Sequence, residues 1–92
     1  MHPITRTAWL ANIGEVALEF EAARIDEFEA REVKRKIMKE IHLDDGIYAR
    51  GDNEDADFIV DEHLAAAKRK ANARRKLTRA IMNFHRCVKA LA

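Results

Sequence analysis

Ninety-two residues make one domain with a modest core, and a hydrophobic share of 48% excludes wholesale disorder. A single cysteine, Cys87, excludes an internal disulfide framework, and no apolar run approaches the roughly 18 residues needed to span a membrane. The formal net charge of +1 conceals a polarised chain: all sixteen acids lie at or before Glu62, and the thirty residues after it carry nine Lys or Arg.

The alphabet favours helix. Ala, Leu, Glu, Lys and Arg dominate, Ser and Gln are absent, and there are three Gly and one Pro. Pro3 suits a first helical turn, with Thr5 or Thr7 as a capping oxygen. From about Thr7 to His42 the only breaker is Gly14. Apolar residues recur at helical spacing, first Trp9, Ile13, Val16 and Phe20, then Ala30, Val33, Ile37 and Ile41. The two sets are out of phase at 100° per residue, so the helix either bends between Ala23 and Ala30 or buries two faces. The pattern predicts a helix over about 5–42.

A tip follows over about 43–52, where Gly46 and Gly51 form the only close pair of glycines. Ile47 and Tyr48 are apolar contact residues amid its charge, suited to a partner or to capping the bundle end. The acids of the tip do not fit a calcium loop, because no Gly stands sixth from Asp52 or Asp55. Asp52 and Asn53 then offer a capping oxygen, and Glu54 and Asp55 suit the positive end of a helix dipole.

The second helix is predicted over about 53–91, without Pro or Gly. Leu77, Ile81, Phe84, Val88 and Leu91 repeat at alternating spacings of four and three, which reads as a coiled-coil seam. Further back the matching face thins to Ala73, Ala66 and Ile59, with Val60, Leu64, Ala67 and Ala71 on another side. Two helices of this length joined by a short tip must run antiparallel. Both carry apolar residues on more than one side. The fold class expected is therefore all-α: residues 1–92 form a single helical domain, a long hairpin that pairs into a dimeric four-helix bundle. A compact three-helix monomer, with the first helix bent near residues 23–30, is the alternative.

Folding the chain about residue 48 sets its acidic blocks (Glu15–Glu32 and Asp44–Glu62) beside its basic ones (Lys68–Lys89 and Lys34–Lys39). Such pairs add little stability individually but disfavour slipped and parallel arrangements. On this reading most of the basic third answers an acidic neighbour. What remains is a ridge: Lys68, Arg75, Arg79 and Arg86 share one arc with Lys76 beside them, directed away from the seam. Guanidinium groups in a row suit phosphates or carboxylates. Glu19 and Asp26, with Glu15 and Glu29, form an acidic face that is a secondary candidate for contact with a partner.

Catalytic groups do not converge. There is no Ser, and Cys87 and His85 stand two residues apart, where helical side chains do not face each other. His42 and His63 flank the tip, with Asp44 or Glu62 nearby, and would form a weak metal site at best, polar residues beside a turn being the commoner case. No Gly-rich phosphate loop occurs. No catalytic residue, metal or cofactor is expected. The functional expectation is a small non-enzymatic, cytoplasmic helical protein. It would act as a regulator or inhibitor by binding another protein or protein complex, in the manner of the small regulators of phages and mobile elements. It would be homodimeric, with no membrane partner. The alternative is a small DNA- or RNA-binding protein that uses the basic second helix.

Overall fold

The computed structural model describes residues 3–41, 50, 51 and 53–90. Two helices account for nearly all of them: α1 (Pro3–Glu40) and α2 (Glu54–Ala90). They pack against each other as an antiparallel hairpin with principal extents of 59 × 17 × 17 Å. The long axis matches 38 residues at about 1.5 Å each, so α1 runs essentially straight. No bend interrupts it near residues 23–30, and the three-helix alternative does not form.

The start of α2 follows from side-chain chemistry. Asn53 accepts the Ala56 backbone N–H on Oδ1 at 3.0 Å, which makes it the capping residue. Glu54, Asp55 and Asp57 fill the first turn, where negative charge favours the helix dipole. Gly51 sits at φ 95°, a left-handed conformation suited to glycine, and its N–H donates to the Asp57 carboxylate at 3.1 Å. Arg50 clasps Asp61 with two bonds of 2.8 Å, tying the approach to the second turn of the helix.

Along α1 and the residue after it, one inward row runs through Trp9, Ile13, Val16, Phe20, Ala23, Glu27, Ala30, Lys34, Ile37 and Ile41, with buried Met38 beside it. Along α2 they are Ala56, Ile59, His63, Ala66, Lys70, Ala73, Leu77, Ala80, Phe84 and Cys87. Both rows alternate spacings of three and four without a break, the signature of one continuous coiled-coil seam. The seam read from apolar residues alone is therefore corrected. Leu77 and Phe84 belong to it, but Ile81 and Val88 are 37% and 42% exposed, and Ala80 and Cys87 take their places. Leu91 lies outside the described residues. The reason is that polar side chains hold four seam positions. Glu27 and Lys34 break the apolar run of α1 and create the apparent change of phase; His63 and Lys70 hide the first half of the row on α2.

The core is thin. The buried hydrophobic residues are Val16, Met38, Ala56, Ala66 and Ala80, three of them alanines that let the backbones approach closely. At its centre Glu27 is only 6% exposed. Arg31 of the same helix donates to both its oxygens at 2.5 and 2.7 Å, while His63 Nε2 lies 3.3 Å and Lys70 Nζ 3.8 Å away on α2. Buried charge needs this kind of satisfaction, and among the described residues no buried side-chain polar atom lacks a partner. The Arg31 hydrogen bonds hold the Glu27 carboxyl below its ordinary range against the opposing effect of burial, with His63 and Lys70 adding to the depression.

Candidate functional site

The outer side of α2 carries the basic ridge. Lys68, Arg75, Arg79 and Arg86 are all exposed. Their spacings of seven, four and seven return to one direction every whole number of turns, directly behind the seam. The eighteen residue steps from Lys68 to Arg86 make five turns, about 27 Å. Arg75 is steadied by a 3.0 Å bond from Nη1 to Asn72 Oδ1. Arg74, Arg75, Arg79 and Arg86 surround Met82, which is 55% exposed, in a shallow open depression.

Lys76 stands apart from this row. Its ammonium crosses to α1 and donates to Glu19 Oε2 at 3.0 Å, so both charges are engaged within the hairpin. Among the described residues, Lys70 and Lys76 are the two Lys or Arg side chains of the final third that meet an acid of α1. Among the described residues no carboxylate pairs with Lys68, Arg69, Arg74, Arg75, Arg79, Arg86 or Lys89. The expectation that an acidic neighbour accounts for most of the basic third therefore does not hold. Three of the eight acids of α1 are met by its own arginines, in Glu21–Arg24, Glu27–Arg31 and Glu32–Arg35.

The secondary candidates divide. Glu19 is the partner of Lys76, and Asp26 is exposed on the same flank without an ion pair among the described residues. Ile47 and Tyr48 lie outside the described residues, as do His42 and Asp44. His63 turns inward to Glu27 rather than toward the tip. Among the described residues no group of three His, Cys, Asp or Glu could hold a metal ion. Cys87 is half-buried in the seam, and His85 packs edge-on against Phe84 with ring centroids 6.0 Å apart. No helix of the described residues is long and apolar enough to cross a membrane.

Sequence reasoning overlooked Met82 and Arg74 as parts of the ridge. The signal was present, because Arg74, Thr78 and Met82 repeat every four residues alongside Arg75, Arg79 and Arg86. It also overlooked the Glu27 cluster, which only a seam tolerant of polar residues reveals. Chemically, the ridge offers planar, permanently charged donors around an apolar centre. That combination suits carboxylate or phosphate groups carried on a surface with some apolar character. No known protein family matches the chain, and no curated protein and no solved structure matches it.

Proposed function

We propose that this chain is a small non-enzymatic binding protein, a regulator or inhibitor, whose hairpin presents the Lys68–Arg75–Arg79–Arg86 ridge to an acidic surface of another protein. One observation carries the reading: seven of the nine bases in the acid-free third have no acid partner among the described residues. The fold does not need them there. Like charges four residues apart, such as Arg75 and Arg79, weaken a helix by a few tenths of a kcal/mol. A row that opposes folding and meets no carboxylate among the described residues is explained by a ligand that neutralises it.

Met82 favours protein over nucleic acid. An exposed thioether ringed by guanidinium groups adapts to an apolar side chain flanked by carboxylates, as acidic docking segments present. The second reading is nucleic acid, favoured by the 27 Å linear array itself, which is suited to a phosphate backbone. The expected homodimer would display two ridges.

The test is capture from the native host with the intact chain as bait, in parallel with Arg75→Glu carrying Arg79→Glu. A defined acidic protein retained by the first and lost by the second supports the reading. A salt-sensitive shift of DNA or RNA that the double variant abolishes would transfer the ridge to nucleic acid. Equal behaviour of both baits would refute a role for the ridge.

A further inference from the structure

The hairpin has two flanks, and they differ. Glu19 and Lys76 each stand one residue before a seam position, and their contact marks the flank on which such residues lie. Residues one place after a seam position lie on the other flank. From Ala8 to Glu40 and Asp55 to Val88, leaving aside Arg79 and Arg86 of the ridge, the first set contains ten charged residues and the second contains six. The second flank instead carries Leu10, Phe28, Leu64, Ile81 and Val88, five of the ten large hydrophobic side chains left exposed among the described residues. Half-buried Ala17, Val60, Ala67 and Ala71 lie between them. Only Val33 and Phe58 of the exposed ten lie on the charged flank; Leu18, Ile25 and Met82 face the rear.

We infer that this apolar flank is the surface on which a second copy of the chain docks, producing a four-helix bundle. Three observations select that occupant. The accessible surface is 6994 Å², whereas a compact monomer of 10.6 kDa exposes about 5,500 Å². A flank about 59 Å long and 17 Å wide offers roughly 1,000 Å² per copy, which meets the area a stable dimer buries. The charges of the flank are already spent, since Arg24, Arg31 and Arg35 pair with Glu21, Glu27 and Glu32. Arg74, at its edge, is the exception. The flank thus calls for an apolar partner of its own shape, which a twofold copy supplies reciprocally.

Gly14 lies on the same flank. It sits inside α1, where glycine weakens a helix, and a Cβ built on it meets nothing within 4 Å. Nothing within the hairpin requires a glycine there. A notch on the docking flank, where the second copy comes close, accounts for it.

This inference deepens the dimeric part of the proposed function and does not depend on what the ridge binds. Sedimentation equilibrium of the full chain, from about 1 to about 100 µM, should give about 21 kDa, twice the chain mass. Phe28→Glu with Leu64→Glu should give the monomer mass, and Val33→Glu with Phe58→Glu should leave the dimer. Gly14→Leu should weaken the dimer at least tenfold while helix content by circular dichroism holds or rises, which separates lost docking from lost folding. Monomer mass for the wild type at the highest concentration overturns the inference. So does a dimer unmoved by the Phe28 and Leu64 changes, or one broken from the charged flank. Arg75→Glu with Arg79→Glu should leave the mass unaltered, so failure of the ridge and failure of the docking flank are read separately.

Discussion

Replacing Glu27 by Leu leaves Arg31, His63 and Lys70 gathered around a side chain that answers none of them. Removing one partner of a buried charge cluster is destabilising, whereas removing opposing partners together is often neutral. The thermal midpoint at neutral pH should therefore fall for Glu27→Leu and recover in part when Lys70→Leu is added. An additive second loss would contradict the cluster. Acid should act on the same group. The Glu27 carboxyl, like those of Glu21, Glu32 and Asp61, is held below its ordinary value by its arginine partner. A depressed folded value means a contribution that is complete above the unfolded value, 4.5 for a glutamate, and is lost as pH falls from there through the folded value. Melting temperatures should accordingly be flat above about pH 5 and drop below about pH 4, with the drop shallower in Glu27→Leu. On the ridge, Arg79→Glu relieves repulsion from Arg75. It should raise stability by a few tenths of a kcal/mol in denaturant titrations while weakening the bound partner.

At the scale of the helix, two changes probe what starts α2 and what lets it approach α1. Asn53→Ala removes the capping oxygen and should cost about 1 kcal/mol in chemical denaturation. Ala66→Leu inserts bulk where a residue only 1% exposed allows close contact, and should cost about 1–3 kcal/mol. The hairpin itself was legible in the sequence, because long runs on either side of Gly46 and Gly51, broken only by Gly14, permit little else. The ridge was legible for a related reason: a helix fixes the direction of Lys68, Arg75, Arg79 and Arg86 relative to one another whatever it packs on. The seam of α2 was legible only in part. Ile59, Ala66, Ala73, Leu77 and Phe84 were read from spacing, but Ile81 and Val88 imitate seam residues, whereas His63, Lys70, Ala80 and Cys87 hold places in the true row. Nor could spacing on one helix foretell that Lys76 would reach Glu19, since that depends on the register between two helices.

For the whole molecule, the two faces make separable demands. Ligand affinity at the ridge should fall as salt rises, since exposed charges act through a screened field. Association through the apolar flank should hold or strengthen in sulfate, which favours burial of apolar surface. Measuring both between about 50 and 500 mM salt distinguishes them; parallel responses would mean that one surface serves both ends. Glu27 has a consequence at this scale too. Ala66, Ala73 and Ala80 stand seven residues apart in the seam, so sliding one helix by seven residues, about 10 Å, lays alanine where alanine was. A ruler with identical divisions needs an index mark. Between His63 and Lys70 the carboxylate meets two basic groups, whereas one division either way it would keep only one, beside Ala56 or Leu77. The central charge therefore sets where the hairpin comes to rest along its own length, and with it which outer residues stand level across the two helices.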